Sequence, residues 1–177
     1  MCHNPQRSGR RAFLASLPAA ALMVGLAPVR ARAGADVVDL PAPGPGDTCP
    51  VCGMFVAKYS DWVATLVWTD GTAVHFDGAK DFFKYLANLE KYAPGRAADE
   101  IAGMGVTEYY GVSLIDARTA IYAVGSDVYG PMGHELVPLA NEAEAEEFQR
   151  DHLGKRLVGF DAVDAALLAA LDKGQVE

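Results

Sequence analysis

Two cysteines and a methionine lie close together in the segment 47–54. The order Cys49-Pro50-Val51-Cys52-Gly53-Met54 places two thiols and a thioether within six positions. Soft sulfur donors of this kind suit Cu(I), zinc or thiol redox chemistry. The chain therefore carries a candidate metal or redox site, and the rest of the sequence has to be weighed against each possibility.

Four interpretations of the cysteine pair compete. A thioredoxin-type redox pair is expected at a helix N-terminus, whereas the residues after Cys52 predict a strand. A structural zinc site usually has four ligands, but there is no second cysteine pair and His75, His134 and His152 are scattered. A plain disulfide between Cys49 and Cys52 would close a very small loop and stabilise the fold little. Cu(I) accepts few and soft ligands, so it fits the pattern best.

Further candidate ligands lie near the cysteines and in the second part of the chain. Met54 follows Cys52 by two residues, so in an extended segment both side chains point to one side. Met132 lies in Gly130-Pro131-Met132-Gly133-His134, where flanking glycines place it poorly for core packing. We therefore expect Met132 to supply a second sulfur, and His134 could add an imidazole.

The hydrophobic pattern predicts strands alternating with helices. Alternating apolar residues and turn residues predict strands at 55–59, 62–68, 73–76, 111–116, 119–125, 135–139 and 155–160, with a hairpin turn at 69–72. Asp77, Asn141 and Asp161 are the predicted N-caps of three helices. The segment Gly103-Met104-Gly105 is predicted to be a loop, with Met104 a packing residue rather than a ligand. His75 is expected to be a partly buried, hydrogen-bonded residue.

These elements indicate an α+β protein. After a Pro/Gly-rich lead-in at 34–48, we expect one metal-binding domain at 49–177. Its two halves, at about 49–100 and 106–177, each follow the order strand, strand, helix, strand. We expect the two ββαβ halves to pack as one compact domain.

The N-terminal residues have the pattern of an export signal. Arg10 and Arg11 precede Phe13-Leu14 and an alanine-rich apolar run, and 31–33 offers small residues to a signal peptidase. This pattern predicts a twin-arginine-type signal at 1–33. It also predicts a periplasmic protein with no lipid anchor, since Cys2 lies before the arginines.

The charge balance excludes some functions. The chain of 177 residues has a formal charge of −8, although residues 1–33 contain five arginines and no acidic residue. The remaining surface is strongly acidic and should repel nucleic acid. The sequence also shows no nucleophile–base set or general acid–base pair, so we expect no enzymatic activity.

The chain resembles the NosL family of accessory proteins for nitrous-oxide reductase maturation. The similarity is carried by Cys52-Gly53-Met54, by Met132 in its Gly-Pro-Met-Gly loop before 135–138, and by Val158-Gly159-Phe160-Asp161. The resemblance implies a Cu(I)-binding metallochaperone of denitrification that passes copper to the reductase by ligand exchange. It implies a membrane ABC-type assembly complex as a partner, and a fold like the metal-handling module of organomercurial lyase.

The resemblance also ranks the site residues. Cys52 and Met132 are the best ligand candidates and Met54 is next, whereas Cys49 is either an additional ligand or half of a disulfide gate. Family members are commonly lipoproteins, but no lipidation cysteine ends the predicted signal, so we expect a soluble, monomeric carrier. The alternatives are a periplasmic thiol–disulfide oxidoreductase using Cys49 and Cys52, or a zinc-binding structural protein.

Overall fold

The computed structural model describes Met1 and residues 34–176, which contain two antiparallel sheets. The first sheet has the order β2-β1-β3-β4 and the second has the order β6-β5-β7. The strands are β1 (Ala64–Trp68), β2 (Ala73–Phe76), β3 (Ile101–Thr107), β4 (Leu114–Asp116), β5 (Ile121–Gly130), β6 (Gly133–Leu139) and β7 (Arg156–Gly159). Between residues 34 and 176, no helix is long and apolar enough to cross a membrane.

Four α-helices accompany the sheets. They are α1 (Ala79–Ala87), α2 (Leu89–Tyr92), α3 (Glu142–Asp151) and α4 (Ala165–Asp172). The chain thus runs β1-β2-α1-β3 and then β5-β6-α3-β7, which confirms the predicted α+β class and the repeated strand-strand-helix-strand order. Strand β4 extends the first sheet to Asp116, beyond residue 100, near which the first half was predicted to end.

The hairpin between β1 and β2 forms as the sequence predicts. Gly71 adopts a φ of 84°, in the left-handed region that glycine tolerates without steric cost. The Asp70 side chain accepts a hydrogen bond from the Thr72 backbone N–H at 2.9 Å. These two features set the register in which Ala64 pairs with Phe76.

Helix capping differs from prediction at two of three positions. Asn141 caps α3 by accepting a hydrogen bond from the Glu144 N–H at 3.0 Å, as expected. Helix α4 is capped by Asp164, because Asp161 belongs to a short 3-10 helix that precedes it. Helix α1 has Gly78 at its N-cap, so Asp77 is not the capping residue.

The predicted strand at 55–59 is wrong. Residues Val56–Trp62 instead form a 3-10 helix with a kink at Tyr59. A short segment of apolar, β-branched and aromatic residues does not by itself distinguish a strand from a turn of helix, because tertiary contacts decide the conformation. The side chain of Val56 is nevertheless completely buried, as its apolar character predicts.

The predicted loop at Gly103-Met104-Gly105 is also wrong, because these residues lie inside β3. The glycines share one face of the strand, and on that face the lead-in segment and β4 approach closely. A Cβ atom at Gly105 would lie 2.7 Å from Leu114 Cγ and 3.0 Å from Val38 Cγ2. The opposite face carries Met104, which is buried in the core.

The largest hydrophobic cluster joins the two sheets through α1. Phe82 and Phe83 of α1 are both buried, and the ring of Phe83 lies 5.1 Å from that of Tyr122 on β5. Burial of such side chains contributes roughly 1.5–3 kcal/mol each. A smaller cluster lies between the second sheet and α3, around Phe148. Helix α1 is therefore held by aromatic packing from both parts of the chain.

The close approach at Gly105 predicts a position-specific loss of stability. We expect Gly105→Ala to lower the free energy of unfolding by about 1–3 kcal/mol, because the added methyl group overpacks against Leu114 and Val38. Gly159→Ala is the matched control, since its φ is −86° and no atom lies within 4 Å of the added Cβ. Urea unfolding of the full chain tests both variants, and equal stability losses would contradict the packing explanation.

Candidate metal centre

The cysteine segment forms a closed turn. The Cys49 backbone N–H donates to the Met54 carbonyl at 2.9 Å, and the Gly53 N–H donates to the Cys49 carbonyl at 2.8 Å. Gly53 has a φ of 80°, which a residue with a side chain would adopt only with strain. The turn places both cysteine side chains towards the start of α1.

Two thiols and two carboxylates meet at that point. Cys49 and Cys52 come from the turn, Asp77 directly follows β2, and Asp81 lies in the first turn of α1. One ligand atom from each of the four residues lies within 4.8 Å of all the others. This set, called the thiol–carboxylate cluster below, is the one group of three or more His, Cys, Asp and Glu ligands found among residues 34–176.

Hydrogen bonds connect each thiol with a carboxylate. Cys49 Sγ donates to Asp81 Oδ2 at 3.5 Å, and Cys52 Sγ donates to Asp77 Oδ1 at 3.3 Å. Both cysteines are free thiols; Cys49 is buried with 1% exposure, whereas Cys52 is half-buried. Cys52 is thus the more accessible of the two sulfurs.

Burial and the carboxylates keep both thiols protonated. Burial raises the pKa of Cys49 to about 11, and the carboxylate of Asp77 adds to the increase, while the backbone N–H groups of Cys52 and Val51 oppose it. Burial also raises the pKa of Cys52 far above its ordinary value, helped by Asp81 and Asp77. Metals bind cysteine as the thiolate, so a metal entering this cluster would displace protons.

One oxygen of the cluster has no partner. Asp77 Oδ2 is buried and accepts no hydrogen bond from the residues that the structure describes. A buried carboxylate oxygen without a partner is costly, and such groups are usually paired or coordinate a metal. The free oxygen beside two thiols therefore fits a metal-binding cluster.

The other predicted ligands are placed differently. Met54 is half-buried at the end of the turn, and its carbonyl holds Cys49. Met132 lies between β5 and β6 with 44% exposure. The ring of His134 lies 4.9 Å from that of Tyr129, and His134 does not belong to the thiol–carboxylate cluster.

The structure connects Met132 to α1 through its backbone. The Lys80 ammonium donates to the Met132 carbonyl at 2.9 Å. Lys80 directly precedes Asp81 in α1, so the lysine that contacts Met132 and a carboxylate that contacts Cys49 are neighbours in the chain. His75 is buried as expected, and its Nδ1 lies 2.9 Å from Thr65 Oγ1.

Sequence reasoning missed Asp77 and Asp81 as members of the site. Asp77 was assigned to helix capping, which gave it a sufficient structural role. The signal in the sequence is that Asp77 and Asp81 are four residues apart at the start of a predicted helix, a spacing that places two carboxylates on one face. That spacing is common on solvent-exposed helices, so it indicates a site only once the cysteine turn is located beside it.

The fold and the cluster define a small α+β protein with a candidate metal site of two thiols and two carboxylates. The family model named NosL matches residues 42–168, and the chain belongs to the NosL family.

Two known proteins illustrate the relationship. The copper-binding lipoprotein NosL of Stutzerimonas stutzeri is 30% identical over 137 residues, a match that covers 69% of this chain and 64% of the relative. This chain therefore spans less than two thirds of that relative's length. The crystal structure of the copper chaperone NosL from Shewanella denitrificans has a TM-score of 0.58 at 21% identity, covering 72% of this chain and 97% of the other. At this identity the match shows the shared fold.

The curated relative corrects the predicted localisation. Its name describes a lipoprotein. This finding contradicts the predicted localisation in two respects, the twin-arginine-type signal and the absence of a lipid anchor. Residues 2–33, on which the predicted localisation depended, lie outside the part of the chain that the structure describes.

The carboxylates predict the reactivity of Cys52. We expect Asp77→Asn to lower the pKa of the Cys52 thiol, because the amide removes a negative charge that disfavours the thiolate. The rate of alkylation by iodoacetamide should then rise at pH 8, with cleavage and mass spectrometry assigning the label to Cys52. Asp99→Asn, at an exposed carboxylate, is the control and should leave the rate unchanged. An unchanged rate in Asp77→Asn would show that its carboxylate does not hold the thiol proton.

Proposed function

We propose that this protein is a Cu(I)-binding metallochaperone whose metal binds at Cys49 and Cys52. The observation that carries the proposal is the cluster of two free thiols with a buried, unpartnered carboxylate oxygen. Cu(I) is stable with as few as two soft ligands, so the sulfur atoms of Cys49 and Cys52 are sufficient to bind it. Both relatives are named as copper proteins, which supports this choice of metal.

The carboxylates of Asp77 and Asp81 hold and orient the thiols in this proposal. Each accepts a hydrogen bond from one thiol, so the sulfurs are oriented before the metal arrives. Binding of one Cu(I) by both thiolates releases two thiol protons, so the site as a whole becomes more negative beside the two carboxylates. Outer groups of this kind commonly change metal affinity by roughly 10–100-fold.

Delivery proceeds by ligand exchange. Cys52 is half-buried and the Met132 side chain is exposed, so the accessible sulfurs are a thiol and a thioether. A recipient can add a ligand on that side before the buried Cys49 leaves. The recipient suggested by the family resemblance is nitrous-oxide reductase during its maturation, with the membrane ABC-type complex as the assembly partner. We assign no catalytic step to the protein itself.

Two other functions fit parts of the site. A thiol–disulfide oxidoreductase needs a thiolate at neutral pH, and the raised pKa of both cysteines disfavours that chemistry. Zinc binding has a specific observation in its favour. Two thiols and two carboxylates give four donors, which is the number that zinc prefers.

Competition titration separates these possibilities. We expect the reduced full-length protein to take one Cu(I) per chain under anaerobic conditions, measured against a chromogenic Cu(I) chelator. Cys49→Ser and Cys52→Ser should each abolish stoichiometric binding, because a hydroxyl is a poor ligand for Cu(I). Met132→Leu should weaken binding and leave the stoichiometry unchanged.

The control is Met104→Leu, a volume-conserving change at a buried methionine, which should leave Cu(I) affinity unchanged. A parallel titration with Zn(II) tests the alternative metal. Preference for Zn(II) at equal concentrations, or Cu(I) binding that is indifferent to both cysteine variants, would overturn the copper assignment.

A further inference from the structure

The carboxylate of Glu135 caps helix α1 from the other half of the chain. Its Oε1 accepts hydrogen bonds from the Lys80 N–H at 2.5 Å and the Leu136 N–H at 3.0 Å. The N-cap residue Gly78 makes no side-chain hydrogen bond, so the start of α1 depends on this distant acid. Glu135 is 3% exposed and belongs to β6, directly after the turn that carries Met132.

Two glycines make room for this side chain. A Cβ atom at Gly78 would lie 2.6 Å from Glu135 Oε2, and one at Gly130 would lie 2.9 Å from Glu135 Cγ. Backbone from the start of α1 and backbone from the end of β5 therefore pack directly against the glutamate. A larger residue at either glycine would displace the carboxylate from the helix.

Lys80 makes the reciprocal contact. Its side chain is 2% exposed, yet its ammonium reaches the Met132 carbonyl at 2.9 Å and lies 3.5 Å from Asp172 Oδ1. A buried ammonium is tolerated only when such partners replace its hydration. The same turn leaves the Met132 side chain exposed while its backbone is held.

We propose that Lys80 and Glu135 are positioning residues of the copper site. Glu135 fixes the first turn of α1, which carries Asp81, and Lys80 fixes the turn that carries Met132. Lys80 donates both hydrogen bonds: its backbone N–H donates to the Glu135 side chain, and its ammonium donates to the Met132 backbone. Together they hold the thiol–carboxylate cluster and the Met132 turn as one unit. This inference rests on the proposed copper-binding function.

Positioning matters because the copper ligands come from separate segments. A thioether on a free turn would spend most of its time away from a metal bound at the thiols, and holding the turn removes that entropic cost. Functional groups generally need placement within about 0.5 Å by supporting contacts. Lys80 and Glu135 supply such contacts without being ligands themselves.

The first test compares Lys80→Leu with Asp172→Asn. Leucine is apolar, adds no sulfur that could bind Cu(I), and removes the ammonium that binds the Met132 carbonyl. Asp172→Asn removes the ion-pair partner of the same lysine and leaves the Met132 contact in place. Full-length reduced proteins labelled with methyl-13C methionine are titrated with Cu(I), and both affinity and methyl resonances are recorded.

We expect Lys80→Leu to lower Cu(I) affinity by about 10–100-fold and to abolish the copper-induced shift of the Met132 methyl resonance. Asp172→Asn should keep both. The Met104 resonance, from the core, should stay unchanged in every protein and report an intact fold. A Met132 shift that persists in Lys80→Leu, or that is absent in the unmodified protein although copper binds, overturns the inference.

A second pair tests Glu135 and covers the case in which Lys80→Leu does not fold. Glu135→Gln retains an oxygen that can accept the Lys80 N–H and should keep affinity and the Met132 shift. Glu135→Leu removes that acceptor and should lose both, and equal behaviour of the two variants would overturn the positioning role. If the unmodified protein takes up no Cu(I), the proposed function itself fails, which is a distinguishable result.

Discussion

Helix α1 is capped by the carboxylate of Glu135, whereas a helix is usually capped by a residue at its own N-terminus. Helix α1 begins at Ala79 after a glycine, and the Lys80 N–H in its first turn donates to an acid 55 residues further along the chain. Because that acid supplies the cap, Asp77 and Asp81 need not turn back onto the helix. Both carboxylates are left to face the cysteine turn. The four residues of the thiol–carboxylate cluster thus lie in the first part of the chain, whereas the cap of the helix that carries Asp81 comes from the second part.

Charge at this end of α1 is balanced over several groups. The N-terminus of a helix favours negative charge, which stabilises carboxylates placed there. Burial raises the pKa of Glu135 to about 8, while the N–H groups of Leu136 and Lys80 and the Lys80 ammonium oppose the increase. The ammonium, in turn, is neutralised in part by Asp172 at the end of α4. The Lys80 ammonium and the Glu135 carboxyl group thus lie beside the thiol–carboxylate cluster, whose two neutral thiols can exchange their protons for a soft cation.

Sequence patterns predicted the order of elements better than the details at the site. The hairpin at 69–72 and the cap at Asn141 follow from local chemistry, because a glycine and a capping side chain act within their own turn. The prediction of a loop at 103–105 is wrong because its glycines allow close packing against a segment that is remote in sequence. Asp77 was misassigned for the same reason. The local sequence is compatible with Asp77 as a helix cap, but in the structure Gly78 is the N-cap residue and the carboxylate of Glu135 caps the helix.

In the proposed copper site, the exposure of the sulfurs increases from Cys49 through Cys52 to Met132. Cys49 is enclosed by its turn, Cys52 is half-buried, and the Met132 thioether reaches solvent. Ligand strength for Cu(I) falls in the same direction, from thiolate to thioether. A carrier must hold its metal tightly enough to exclude competitors and still release it to a partner that approaches from outside. Strong ligands on the inner side and a weaker ligand on the outer side meet both needs, since the partner first replaces the ligand that is easiest to displace.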